Sequence, residues 1–158
     1  MKTKFGIVGC GFLGNIVANA WKNGLLEDYE LVGVTSRSPE SAQKAAEAVG
    51  CTVCADVDAL LALEPEYIVE AASVESVRAM AIPVLKRGVN LVILSIGAFA
   101  DLDFYAQVKA AAVEGGAKVL LGVAVQLLLG RGDQADRLNG NKLFKHDGLL
   151  LILVEADG

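Results

Sequence analysis

From Lys4 to about Leu121 the chain alternates short apolar runs with segments whose apolar residues recur at helical spacing. The runs Lys4–Val8, Glu30–Val34, Cys51–Cys54, Tyr67–Ala71, Leu91–Ser95 and Lys118–Leu121 have the length of buried strands. Between the first two, Leu13, Ile16, Val17 and Ala20 line one face of a helix spanning about Phe12 to Asn23. Ser38 is expected to cap the next helix, with Pro39 at the first helical position, where a missing N–H costs nothing. Ala42, Ala45, Ala46 and Val49 form its stripe, and Gly50 ends it. Asp56 begins a short helix to Leu63, and Ser73 caps a longer one carrying Val74, Val77, Met80, Ala81 and Leu85 inward. Pro83 is expected to kink that helix, and Gly88 to end it. Asp101 opens a last helix to Glu114, closed by Gly115-Gly116. Strands alternating with helices give an α/β fold, a right-handed, doubly wound parallel sheet.

The rhythm then breaks. Val123–Leu129 is apolar without clear periodicity, Gly130–Gly148 is polar and glycine-rich, and Leu149–Val154 has the character of one more strand. The expected organisation is a domain over residues 1–122 and a divergent tail over 123–158, with that strand docking on the sheet. Arg131-Gly132-Asp133 matches an integrin-binding tripeptide, but chance occurrence in a polar loop explains it better.

The first strand runs straight into Gly9-Cys10-Gly11-Phe12-Leu13-Gly14. This G-x-G-x-x-G turn sits between a strand and a helix, the setting in which it holds a dinucleotide. Gly9 permits the tight turn, Gly11 lets a pyrophosphate approach the backbone, and Gly14 lets the helix pack on the strand. The N–H groups at the helix start, from Phe12 and Leu13 onward, then face the phosphates. The expected fold is therefore Rossmann-type.

The end of the second strand selects between NAD and NADP. An acid there would bind the ribose hydroxyls and repel a 2′-phosphate. This chain has Thr35-Ser36-Arg37-Ser38. A hydroxyl at Ser36 and a guanidinium at Arg37 suit a 2′-phosphate, so the reading leans to NADP, with dual use left open. The ends of strands four and five should line the same crevice. They offer the small residues Ala71 and Ala72 with Ser73, and Ser95 with Gly97 and Ala98. Glu70 lies beside the crevice but within a buried strand; a structural partner or an outward orientation is expected for it rather than catalysis.

Composition narrows the partners. Hydrophobic residues make up 54% of the 158 residues, as a sheet covered on both faces requires. A net charge of −5 and no Lys/Arg cluster speak against nucleic acid. No apolar run reaches bilayer length and no secretory signal is recognisable, so no membrane partner and a cytoplasmic location are expected. Cys51-Thr52-Val53-Cys54 lacks a second ligand pair for zinc, and alternation puts its two thiols on opposite faces. No metal site is expected. Cys10 in the glycine turn is read as a small space-filler.

With these residues in view, the chain resembles the N-terminal dinucleotide-binding domain of the L-aspartate dehydrogenase family. The resemblance rests on Gly9–Gly14, Ile68-Val69-Glu70-Ala71-Ala72-Ser73, Pro83-Val84-Leu85-Lys86-Arg87-Gly88 and Leu94-Ser95-Ile96-Gly97-Ala98-Phe99-Ala100-Asp101. It implies oxidative deamination of L-aspartate to iminoaspartate with NAD or NADP as hydride acceptor. A small amino-acid substrate then follows if a catalytic domain is supplied, and a homodimer stays open. Two features depart from the family. Leu121-Gly122-Val123-Ala124-Val125-Gln126 stands where the family has a small-residue segment, and nothing in the tail matches the family's second domain. His146 therefore does not inherit the family's catalytic histidine, and no catalytic residue is assigned. The chain alone is expected to lack turnover. A non-catalytic NAD(P)-binding module or a nucleotide sensor is the alternative. The glucose–fructose oxidoreductase and inositol dehydrogenase group shares the Ser-Arg feature, but its Glu-Lys-Pro signature is not matched by Ser95-Ile96-Gly97.

Overall fold

The computed structural model describes residues 1–126, 142–146 and 149–155. Its strands are β1 (Thr3–Val8), β2 (Tyr29–Thr35), β3 (Thr52–Val53), β4 (Tyr67–Glu70), β5 (Asn90–Ile93), β6 (Val119–Gln126), β7 (Lys142–His146) and β8 (Leu149–Glu155). The helices are α1 (Phe12–Lys22), α2 (Pro39–Val49), α3 (Val57–Leu61), α4 (Val74–Lys86) and α5 (Leu102–Gly115), with a 3-10 turn at Ile96–Ala100. The sheet order is β3-β2-β1-β4-β5-β6-β8-β7. The first six strands are parallel, and β8 and β7 extend the sheet antiparallel. This is the doubly wound, Rossmann-type arrangement.

Alternation along the strands builds two cores. Phe5, Ile7, Leu31, Val69 and Val92 pack with Ala18 of α1 and Ala42, Ala45 and Ala46 of α2. Val8, Ile68, Leu91 and Ile93 pack on the other face with Leu60 of α3, Val77, Ala81 and Leu85 of α4, and Phe104 and Val108 of α5. Cys51 packs against the first core and Cys54 lies in the second.

Local signals end most helices where the side-chain chemistry asks. Ser38, Asp56, Ser73 and Asp101 each accept the N–H three residues on. Gly50 and Gly116 close α2 and α5 in the left-handed conformation. Assigned helix α4 continues through Pro83 to Lys86.

One packing feature supports the site from below. Gly6 and Gly33 are register partners on β1 and β2. A Cβ on Gly6 would lie 2.7 Å from Leu60, and one on Gly33 would lie 2.8 Å from Leu63 and 3.1 Å from Leu60. Leu60 is fully buried over this flat glycine pair. Leu60→Ala leaves a void that glycines cannot fill, and a loss of about 2–5 kcal/mol is expected, read as a lower urea midpoint.

Two stretches differ from the sequence expectation, and a third, for which no element was expected, acquires one. The apolar stretch Ile96–Ala100 forms a 3-10 turn between β5 and α5. Strand β6 does not stop at Leu121 but runs to Gln126, because β8 pairs with it over Leu120 to Gln126. Lys142–His146, read as polar loop, pairs with β8 as β7. The tripeptide Arg131-Gly132-Asp133 lies outside the described residues.

Candidate functional site

The glycine turn leaves β1 at Val8 and enters α1 at Phe12. Its backbone is tied down from three sides. Gly9 N–H donates to the Thr35 carbonyl at 2.8 Å. The Cys10 thiol faces the same carbonyl at 3.8 Å. Asn15 Nδ2 donates to the Cys10 carbonyl at 3.0 Å. Gly9 has φ +100°, and a Cβ there would lie 2.7 Å from the Ala71 and Ala72 backbone. Thus Gly9 is needed for the turn and also for the close approach of the β4 end. A Cβ on Gly14 would lie 1.8 Å from the Gly9 carbonyl, so α1 packs on the turn with no room for a side chain.

Gly11 is different. A Cβ on it would meet nothing within 4 Å. It is also the N-cap of α1, and no side chain caps that helix. The first N–H groups of a helix have no intrahelical partner, and the helix dipole makes that end attractive to anions. Open space therefore coincides with unclaimed backbone donors at one point. A pyrophosphate fits that donor set and that space. Phe12 is 78% exposed at the same mouth, and Leu13 is half-buried behind it.

The crevice continues at the ends of β2, β4 and β5. Ser36 is half-buried and Arg37 is exposed beyond β2. Ser38 Oγ accepts from Ser41 N–H at 3.3 Å and from Ser41 Oγ at 3.1 Å, so its side chain is engaged as a cap. The Glu75 carboxyl is held below its ordinary value by backbone N–H and Ser73 hydroxyl hydrogen bonds, then by the charges of Arg37 and Arg78. Arg37 is therefore within electrostatic reach of the start of α4.

At the β4 end, Ala71 is half-buried, Ala72 exposed, and Ser73 half-buried with its hydroxyl accepting from Ser76 N–H at 3.2 Å. At the β5 end, Ser95 is half-buried and Gly97 exposed. Ala98 is fully buried in the α4–α5 core, so its methyl offers no surface to a ligand.

For Glu70 the structure favours the structural partner over the outward orientation. Its carboxylate is not turned outward; it is 0% exposed. Oε1 accepts from Ala72 N–H at 2.8 Å, Ser73 N–H at 3.0 Å and Ser95 Oγ at 3.0 Å. Oε2 accepts from Ser95 N–H at 3.1 Å. A carboxylate ending the apolar run Tyr67-Ile68-Val69 was the available signal. Asn15, one position after the last glycine of the motif, was missed.

The three cysteines are unsuited to nucleophilic chemistry. Burial pushes the Cys10 thiol up. Burial, then the neighbouring Cys10 and Cys54, push Cys51 up to about 11. Among the described residues, no group of three or more potential metal ligands forms. No described helix is long and apolar enough to cross a membrane.

Comparison with known families decides the class. The model of the homoserine dehydrogenase NAD-binding domain matches residues 9–122, from the glycine turn to β6. The chain belongs to this NAD-binding-domain family. The domain is similar to the N-terminal NAD-binding portion of L-aspartate dehydrogenases. It is 30% identical to L-aspartate dehydrogenase of Methanocaldococcus jannaschii over 118 residues, 75% of this chain and 44% of that protein. It is 35% identical to L-aspartate dehydrogenase 1 of Bordetella parapertussis over 116 residues, 73% of this chain and 43% of that protein. The NAD-binding domain thus spans less than half the length of these curated relatives. Among solved structures it is similar to the WlbA dehydrogenase of Bordetella pertussis, crystallised with NADH and UDP-GlcNAcA. That likeness has a TM-score of 0.68 and 25% identity, covering 77% of this chain and 37% of that one. GenD2 from gentamicin A biosynthesis, in complex with NAD, has a TM-score of 0.63 and shares the fold.

Proposed function

We propose that this NAD-binding domain holds NAD(P) across Gly9, Gly11, Phe12, Leu13 and Gly14, with the nicotinamide half over Ala71–Ser73, Ser95 and Gly97. It would thereby serve an oxidoreductase of the L-aspartate dehydrogenase type. The observation that carries the reading is Gly11: open space at the uncapped start of α1, where every neighbouring glycine is tightly packed. The substrate reading, L-aspartate oxidised at Cα with hydride passed to the cofactor, rests on the relatives' names. When bound, the dinucleotide supplies the hydride acceptor, and the chain's residues position it. In the same reading, residues 1–122 form the binding unit and 123–158 a divergent tail, one strand of which docks on the sheet.

We infer a preference for NADP. No acid stands at the end of β2, and Arg37 is exposed beyond it with Ser36 at its side. A 2′-phosphate would draw Arg37 into a charge-assisted contact worth about 1.5–3 kcal/mol. Isothermal titration of the wild type with both dinucleotides tests the site and the preference together. Arg37→Ala is expected to weaken NADP about tenfold or more and NAD less than threefold. Equal loss for both would mean that Arg37 stacks on adenine and does not read the phosphate.

A second reading, a binding module without turnover, is favoured by one observation. The carboxylate nearest the crevice floor, Glu70, already accepts four hydrogen bonds.

A further inference from the structure

A buried carboxylate needs a reason. Taking an ion out of water costs several kcal/mol unless hydrogen bonds or a counter-charge offset it. Glu70 has no cation partner among the described ion pairs. It is offset instead by three backbone N–H groups and one hydroxyl, drawn from two separate loops. Those loops are the β4–α4 turn and the end of β5. An apolar residue at this position would leave three N–H groups without a partner, so the carboxylate sets how the two loops lie against each other.

The direction of one bond adds chemistry. Three of the four donors are backbone N–H groups, and the fourth is the Ser95 hydroxyl. Oε1 already receives two backbone N–H groups, so the Ser95 hydroxyl meets it as a donor and its proton points at Oε1. The hydroxyl then has only lone pairs to offer on its other side.

We propose that Glu70 is a positioning residue that fixes the Ser95 hydroxyl as a hydrogen-bond acceptor for the nicotinamide half of the dinucleotide. The inference rests on the NAD(P) reading of the crevice. In a doubly wound sheet the adenine half lies toward the β2 side and the nicotinamide half past the next strands, β4 and β5. Two donors of that half match a serine acceptor: a hydroxyl of the nicotinamide ribose, or the carboxamide N–H. Glu70→Gln separates positioning from mere support. The amide oxygen can keep the Ala72 and Ser73 N–H bonds at Oε1, but its NH2 then faces the Ser95 N–H, donor against donor, and drives the Ser95 backbone and its hydroxyl away. Turning the amide over would set its NH2 against three donors. Either way Ser95 is released while the shape of the side chain is kept.

The test is calorimetric titration with NAD, acetylpyridine adenine dinucleotide and ADP. ADP carries the adenine half alone, and the acetylpyridine analogue lacks the carboxamide N–H. Wild-type binding of ADP and NAD first establishes the crevice. Were neither to bind, the underlying reading would fail, whatever Glu70 does. Glu70→Gln is expected to weaken NAD about tenfold and to leave ADP within twofold. Ser95→Ala should show the same split, and the double variant should be no worse than Glu70→Gln alone, because both remove one interaction. If the acetylpyridine analogue weakens along with NAD in the variants, the ribose hydroxyl is the donor; if it binds wild type poorly and the variants no worse, the carboxamide is. Should Glu70→Gln not fold, Ser95→Ala decides by the same split. Parallel loss of NAD and ADP, or NAD binding unchanged in the variants, overturns the proposal.

Discussion

Gly11→Val is expected to leave the fold standing and to abolish dinucleotide binding, whereas Gly14→Ala is expected to destabilise the fold and to weaken binding with it. The two glycines sit three residues apart in one turn, and their surroundings are opposite. Gly11 has φ −83° and nothing within 4 Å of its Cβ position. A branched side chain is accommodated there when no ligand is present, at a cost near that of a poor N-cap, about 1 kcal/mol. That side chain fills the space above the N–H groups of α1. Two charge-assisted hydrogen bonds to a pyrophosphate, each about 1.5–3 kcal/mol, would be blocked, so affinity should fall a hundredfold or more. Gly14 has a Cβ position 1.8 Å from the Gly9 carbonyl. No rotamer relieves that contact, because the partner is backbone. Helix α1 must shift off β1, at a cost of about 1–3 kcal/mol or more, and the turn that carries Gly11 moves with it. Urea unfolding and cofactor fluorescence titration on both variants separate the effects. Binding by Gly11→Val at wild-type strength would remove the turn from the site.

What could be read from the chain was what local chemistry decides. The turn at Gly9–Gly14 announces itself by spacing, and Ser38, Asp56, Ser73 and Asp101 announce helix starts because a short oxygen-bearing side chain reaches the N–H three residues on. The face of each strand follows from alternation, as Cys51 and Cys54 illustrate. What escaped depends on partners distant in sequence. The extension of β6 to Gln126 is fixed by β8, more than twenty residues on, and no periodicity in Val123–Gln126 reports it. The flat patch at Gly6 and Gly33 has meaning only once β1 and β2 are in register under Leu60. Glu70 was the clearest case. A lone acid in an apolar strand signals a buried partner, but its heaviest contact, Ser95, lies 25 positions away. Candidate residues were thus legible in type and place, and a structural partner for Glu70 was among the expected alternatives, while the identity of that partner across two loops was not legible.

Residues 1–158 alone are expected to bind dinucleotide and to reduce none of it with L-aspartate. Deamination of an amino acid needs the Cα hydrogen held against the nicotinamide and a group that takes a proton from the amine. The described crevice holds several groups with oxygen or sulfur, and each is unsuited. Ser73 accepts from Ser76 N–H, and Ser95 gives its proton to Glu70. Glu70 is buried and accepts four donors. Glu75 is an exposed carboxylate with its pKa lowered by local hydrogen bonds and by Arg37, which makes it a weak base. The Cys10 thiol has its pKa raised by burial and faces the Thr35 carbonyl. His146 has the side chain whose unperturbed pKa suits the task. It ends β7, paired with Leu149, at the same end of the sheet as the β6 terminus. Yet β7 stands three strands from β5, the nearest strand of the crevice, a lateral distance of about 14 Å at the usual strand spacing. Purified polypeptide mixed with L-aspartate and NAD or NADP should give no absorbance at 340 nm (a property of the reduced cofactor) above the aspartate-free blank, while the titration on the same sample shows cofactor bound. Aspartate-dependent reduction that disappears in His146→Ala would reverse this conclusion and bring the end of β7 into the crevice.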